Sequence, residues 1–166
     1  MKGPFTKLEM TRAESFKAKL ATSPFAQLPR LDREKSYSPR VTGGTGEMVM
    51  SLAAFDAWEA ALRRCRDYFP MAYAKILALD IRIYYGTPYG ATDGKYMLIN
   101  PDGIMRIMKQ ADPVGLIAFL QVHEALHALL GHSYRLKDCS DHTRANIAAD
   151  YVINAMIENA NRLGRD

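Results

Sequence analysis

Cysteine is scarce in this chain, which has only Cys65 and Cys139 among its 166 residues. Two thiols without a paired spacing exclude a disulfide framework and a structural zinc site built from cysteine. Long apolar runs are also missing, since no stretch reaches the roughly 20 residues that span a bilayer. The first residues lack the hydrophobic region of a secretory signal. We therefore expect a cytoplasmic protein with ordinary thiols and no membrane partner.

Basic residues are concentrated near the start of the chain. Residues 1–40 contain nine Lys/Arg and four Asp/Glu, against a net charge of +4 for the whole chain. Such an arm is able to contact nucleic acid, but its cations lack the aromatic interleaving that base stacking requires, so a solvated leader is favoured. Gly43-Gly44-Thr45-Gly46 is typical of a flexible joint. We predict a basic, weakly structured arm over residues 1–47 and a globular domain over residues 48–166.

The spacing of apolar residues predicts helices, then a small sheet, then two helices that carry polar residues. Ser51 is a suitable N-cap for a helix whose buried face contains Leu52, Phe55, Trp58 and Leu62. In order, we predict helices over 11–20, 51–66 and 70–79, strands over 81–85 and 96–100 separated by a glycine-rich turn, and helices over 104–109, 113–131 and 141–161. The fold class is therefore α+β, with an active-site helix and a second ligand-bearing helix packed on a small sheet.

The most informative motif is His123-Glu124-Ala125-Leu126-His127, which reads HExxH. It lies in an apolar segment that begins with the helix-start pair Asp112-Pro113. Residues four apart share one face of a helix, so both imidazoles are able to bind one Zn²⁺ ion while Glu124 acts as a general base. Catalytic zinc usually takes a third protein ligand.

Two residues are candidates for the third ligand. On a continuous helix His132 points about 140° away from His127, so it would bind only if Gly131 broke the helix sharply. His132 is better interpreted as a residue at a helix end, where the negative end of the helix dipole favours it. Asp150 in the last helix is therefore preferred as the third zinc ligand.

Asp150 belongs to a polar stripe of residues four apart, which comprises Asn146, Asp150, Asn154 and Glu158. The other positions are apolar on nearly every side, at Ile147, Ala148, Val152, Ile153, Met156 and Ile157. A helix of this composition is expected to be buried, and a buried carboxylate needs a partner or a metal. Asn154 is predicted to orient a ligating histidine from behind, with Asn146 as a further polar neighbour of the site.

These roles predict a hydrolytic reaction on a protein or peptide. Zinc activates a water, Glu124 takes its proton, and a further group donates to the developing oxyanion. Tyr151 and His142 are candidates for that donor, as are Tyr134 and Arg135. The strand over 96–100 is a candidate edge strand, to which an extended peptide could add across the metal; an ordinary edge strand without a ligand is the equal alternative.

Three segments together resemble a known family. They are ATDGK (91–95) with Asn100-Pro101, HEALHALLGH (123–132) and NIAADYVIN (146–154). This order resembles the metallopeptidase domain found ahead of von Willebrand-type A domains in bacterial and phage proteins, over about residues 65–160. The resemblance implies a zincin-like fold, one Zn²⁺ held by His123, His127 and Asp150, and Glu124 as the general acid/base.

Two other functions remain open from the sequence. A non-catalytic interaction module stabilised by zinc would need the same ligands but not Glu124. A DNA-associated protease that resembles the SprT-like class would use the basic arm to bind nucleic acid.

Overall fold

The computed structural model describes residues 23–31 and 50–163. The helix predicted over 11–20 and the glycine joint at 43–46 lie outside these residues. The division of the chain at residue 47 stays a prediction.

The described chain is a mixed α+β structure, as the sequence predicts. After a short 3₁₀ turn over Pro24–Gln27, the elements are α1 (Leu52–Tyr68), α2 (Pro70–Ala78), β1 (Asp80–Ile83), β2 (Gly90–Thr92), β3 (Tyr96–Ile99), α3 (Pro101–Ile107), α4 (Pro113–Leu129), α5 (His132–Arg135) and α6 (His142–Leu163). Within the described residues, the predicted helices and the two predicted strands are present, with ends that differ from the prediction by at most three residues. The short helix α5 and the strand β2 were not predicted.

The sheet has the strand order β1-β3-β2. β3 pairs in parallel with β1, from Asp80 opposite Tyr96 to Ile83 opposite Ile99, and antiparallel with β2. All four residues of β3 are buried. The prediction that this strand lies at an edge is therefore wrong. Its unbroken apolar run, Tyr-Met-Leu-Ile, is typical of a strand covered on both faces.

The edge strand beside β3 is β2, which the sequence analysis assigned to a turn. Gly-Ala-Thr is too short and too weak in β propensity to be recognised by alternation. Its hairpin with β3 is closed by Asp93, whose Oδ1 accepts from the backbone N–H groups of Lys95 and Tyr96 at 2.9 and 2.7 Å. Gly94 takes a φ of +92°, which favours glycine.

Helices α1 and α4 form the core next to the sheet. Ser51 caps α1 by accepting from the Ala54 N–H, and Phe55 and Trp58 are buried as predicted. Leu52, the first residue of α1, is exposed, contrary to prediction. Gln121 of α4 is fully buried and donates to the Trp58 carbonyl.

The last helix differs from its prediction as a buried helix. Among the side chains of this helix that the structure describes, only Ala149, Ile153 and Ile157 are buried, at a spacing that places them on one face. Ile147 and Val152 are exposed. α6 therefore packs on the domain through one narrow stripe, and its polar residues lie beside that stripe.

The segment 23–31 lies along β1. The Leu31 N–H donates to the Ile81 carbonyl at 3.1 Å, and the Ile83 N–H donates to the Pro29 carbonyl at 2.8 Å. These bonds extend the sheet beyond β1 with residues that precede the domain boundary predicted at 48. Among the helices of the described segments, none has the length and apolar character to cross a membrane.

Candidate metal centre

Helix α4 places the HExxH residues. The Asp112 side chain caps its first turn by accepting from the Gly115 N–H, and Pro113 occupies the first helical position. The helix ends just before Gly131, whose φ of +65° suits glycine at a helix C-terminus, as predicted. His123, Glu124 and His127 thus lie within one uninterrupted helix.

The two imidazoles of the motif meet at one point in space. Their Nε2 atoms are 3.1 Å apart. The Asp150 Oδ1 atom lies 2.9 Å from His127 Nε2 and 3.4 Å from His123 Nε2. These three residues offer ligand atoms that all lie within 4.8 Å of one another, so the group could hold a metal ion.

Asp150 reaches the site from α6, which packs beside α4. Its side chain is 37 % exposed, whereas those of His123 and His127 are 15 % and 9 % exposed. The prediction that Asp150 is a buried carboxylate is therefore wrong, although its side chain does lie beside both histidines. It stands at the open side of the histidine pair, where a metal would remain accessible to solvent.

Two further side chains contact the Nδ1 atoms of the two histidines, on the side of each ring away from the converging Nε2 atoms. Asn154 Oδ1 is 3.1 Å from His123 Nδ1, one turn along α6 from Asp150. His132 Nδ1 is 3.0 Å from His127 Nδ1. His132 was predicted as a ligand or a helix-end residue, and this contact was not predicted. Gly131 permits the contact, because its left-handed conformation turns the chain so that α5 returns toward α4.

The acid–base properties of the site follow from burial. Burial raises the pKa of the Glu124 carboxyl to about 7, and the negative charge of Asp150 acts in the same direction. Burial also lowers the pKa of His127, as does the neighbouring His123. The pKa of His132 is lowered by burial and by Arg135. Neutral imidazoles are the form that binds metals.

The site opens into a cleft of about 370 Å³ between α4, α6 and the strand β2. It is lined by Thr87, Pro88, Tyr89, Gly90, Ala91, Thr92, Phe119, Leu120, His123, Glu124, His127, Asn146 and Asp150. A second cavity continues past His127 toward α5 and includes His142, Lys137 and Ser133. The cleft wall formed by β2 was not predicted, because β2 itself was assigned to a turn.

The other predicted residues differ in their placement. Asn146 lines both cavities, and His142 lines the second. Tyr151 and Tyr134 are 73 % and 71 % exposed and line neither of these two cavities. Arg135 donates to the Leu130 carbonyl at the end of α4. Glu158, the last member of the predicted stripe, pairs with Arg162 and lies outside the cleft.

The fold and the site define a class of protein. It is an α+β domain in which an imidazole pair on one helix and a carboxylate on the next could hold a metal ion beside a buried glutamate.

The chain belongs to a family described as "Putative metallopeptidase domain", whose model matches residues 57–163. The matched segment includes both motif histidines, Glu124 and Asp150. No curated protein and no solved structure matches the chain.

Proposed function

We propose that the protein is a zincin-like, zinc-dependent peptidase that binds one Zn²⁺ per chain through His123, His127 and Asp150. The convergence of His123 Nε2, His127 Nε2 and Asp150 Oδ1 next to the buried Glu124 carries this proposal. Two imidazoles and one carboxylate are a donor set that suits zinc, and three protein ligands leave a position open for water. The predicted cytoplasmic location is consistent with the two free thiols.

Glu124 is proposed as the general base. Its carboxyl is 7 % exposed and lines the cleft, with a pKa raised to about 7 mainly by burial. A pKa near the working pH is what a group needs to take a proton from water and pass it to a leaving amine. Zinc, when bound, supplies Lewis-acid polarisation of a carbonyl and lowers the pKa of water to ~7. A metal-bound module without catalysis would have no use for this carboxyl.

We propose that a substrate peptide lies along β2 in extended form. β2 pairs with β3 on one side, and its three residues line the cleft opposite His123 and His127. Addition of a strand supplies main-chain hydrogen bonds whatever the peptide sequence. Phe119, Leu120 and Tyr89 provide apolar surface for side chains at one end of the cleft. Among the predicted donors, His142 is the one whose position favours contact with a bound substrate, through the adjoining cavity.

The test combines metal content with peptide cleavage. The wild-type chain should bind about one zinc and cleave members of a diverse peptide library, as read by mass spectrometry. Glu124→Gln should keep the zinc and lose cleavage by at least about 100-fold, because the ligands remain while the base is lost. Asp150→Ala should lose both. Glu158→Gln, on the same helix but outside the cleft, is the matched control and should behave as wild type.

The outcomes separate the proposed peptidase from the non-catalytic module. Zinc binding without cleavage of any library member would contradict the peptidase and favour the module. Absence of zinc binding at micromolar concentration would contradict both.

A further inference from the structure

His132 contacts the side of His127 that faces away from the candidate metal position. The His132 Nδ1 and His127 Nδ1 atoms are 3.0 Å apart, with the ring planes inclined by 78°. On the other side of the same ring, His127 Nε2 faces His123 Nε2 and Asp150 Oδ1. The His127 ring is therefore held between two different polar environments.

A neutral imidazole carries one proton, on either Nδ1 or Nε2. For His127 to offer its Nε2 lone pair to a metal, its proton must be on Nδ1. A proton there needs an acceptor, because the His127 side chain is only 9 % exposed. The contact 3.0 Å away is the His132 nitrogen.

We infer that His132 is a positioning residue: its Nδ1 accepts a hydrogen bond from His127 Nδ1–H and so fixes the tautomer and ring orientation in which His127 binds the metal. This inference rests on the metal-binding part of the proposed function. It does not depend on catalysis.

The backbone at the end of α4 makes the contact possible. A regular helix would direct His132 away from His127. Gly131 instead adopts the left-handed conformation, with a φ of +65°. The new helix α5 is then secured by the Arg135 N–H, which donates to the Gly131 carbonyl at 2.8 Å. Ser133 Oγ also donates to the Asp93 carbonyl of the β2–β3 hairpin at 2.8 Å, which ties α5 to the cleft wall.

The Nδ1 atoms of His123 and His127 thus have different hydrogen-bond partners. The acceptor near His123 Nδ1 is the Asn154 amide oxygen at 3.1 Å. The acceptor near His127 is an imidazole nitrogen, which itself must carry its proton on Nε2. His132 then directs an N–H group toward the second cavity, which it lines.

Three substitutions test this inference. His132→Ala removes the ring, and His132→Phe keeps a ring of similar size without an acceptor. His132→Asn restores an acceptor, because the Asn Oδ1 atom occupies nearly the same place along the side chain as His Nδ1. Lys137→Ala is the matched control, since Lys137 lines the same cavity and its described contacts are with Asp138 and Tyr134.

The first readout is zinc affinity measured by competition with a chromophoric chelator. We expect His132→Ala and His132→Phe to weaken binding by about 10- to 100-fold, the usual cost of losing such a partner. His132→Asn should recover most of the affinity, and Lys137→Ala should stay within about twofold of wild type. Circular dichroism and the melting temperature of each metal-free variant test whether the fold is retained.

The second readout is the tautomer of His127, from two-bond ¹H–¹⁵N spectra of the metal-free protein in an Asp150→Ala background, which removes the carboxylate 2.9 Å from Nε2 that competes for the proton. In that background we expect the proton on Nδ1 when His132 or His132→Asn is present, and a mixture or the Nε2 form in His132→Phe. A folded His132→Phe variant with unchanged zinc affinity and the Nδ1–H tautomer would overturn the inference. A wild-type chain that binds no zinc would contradict the proposed function, while the tautomer spectra would still decide the role of His132.

Discussion

At the scale of single residues, the candidate site combines groups that sequence spacing reveals with one that it does not. His123, Glu124 and His127 follow from helical periodicity, and Asp150 and Asn154 follow from the four-residue repeat of the last helix. The contact between His132 and His127 depends on the left-handed conformation of Gly131. Glycine is permitted but not obliged to adopt that conformation, so the direction of the chain after α4 could not be predicted from residue identity.

Asn154 provides a direct test of how the polar stripe supports a metal. Its Oδ1 lies 3.1 Å from His123 Nδ1, so Asn154→Ala leaves that ring without its acceptor. We expect zinc affinity to fall about tenfold, the lower end of the usual range, because the contact is exposed to solvent. Asn159→Ala, an exposed position on the same helix, is the control. Equal zinc affinities for the two variants in a chelator competition would contradict the orienting role.

Cys65 should make stability fall at high pH. Burial raises the pKa of its thiol from 9.0 to about 12. Between these values the unfolded chain releases a proton that the folded chain retains, so the free energy of unfolding decreases as pH rises. The contribution is about 1 kcal/mol at pH 10.

Comparison with Cys65→Val isolates that contribution. Urea unfolding at pH 8 and pH 10 should show a smaller loss of stability for Cys65→Val than for the parent, each in a Cys139→Ser background. Parallel losses for the two chains would mean that the thiol does not titrate as expected.

At the scale of secondary-structure elements, the longer helices of the described residues were predictable, the short α5 was not, and the sheet was only partly so. Ser51 and Asp112 fixed two helix starts because capping residues act locally. β2 was not predicted because three residues are too few to show an alternating pattern. Without β2, the central strand β3 was predicted to be an edge strand. The exposure of α6 was also missed, since an apolar composition does not say which faces find neighbours.

Gln121 joins α1 to α4 and should matter for stability. It is fully buried, donates to the Trp58 carbonyl at 3.1 Å and accepts from the Cys65 thiol at 3.4 Å. Gln121→Ala creates a cavity and removes both bonds, so we expect a loss of roughly 2–4 kcal/mol in urea unfolding. Gln121→Met retains most of the volume and should lose less. Gln110→Ala, at an exposed position, should change stability by under about 0.5 kcal/mol, and a comparable effect for Gln121→Ala would be inconsistent with the packing described.

At the scale of the whole molecule, the candidate metal centre lies where two parts of the domain meet. The histidines belong to α4, which packs one side against the core that α1, α2 and the sheet provide. Asp150 belongs to α6, where Ala149, Ile153 and Ile157 are the buried residues among those that the structure describes. A metal bound by all three ligands would therefore cross-link a well-packed helix to a weakly held one.

This arrangement predicts that zinc stabilises α6 more than it stabilises the rest of the fold. At a free zinc concentration of 100 times Kd, the folded state gains about 2.7 kcal/mol. Removal of zinc by a chelator should therefore lower the melting temperature. Amide hydrogen exchange should accelerate first in α6, because helix ends with few buried contacts open at low cost.

The amides of α1 and α4 should stay protected after chelation, since their buried contacts do not involve the metal. Asp150→Ala separates a metal effect from a general loss of stability, because it should show rapid exchange in α6 with or without zinc and no dependence of its melting temperature on the metal. If chelation accelerated exchange equally in α1, α4 and α6, the metal would stabilise the whole fold equally. That result would contradict the inference that the metal cross-links a well-packed helix to a weakly held one.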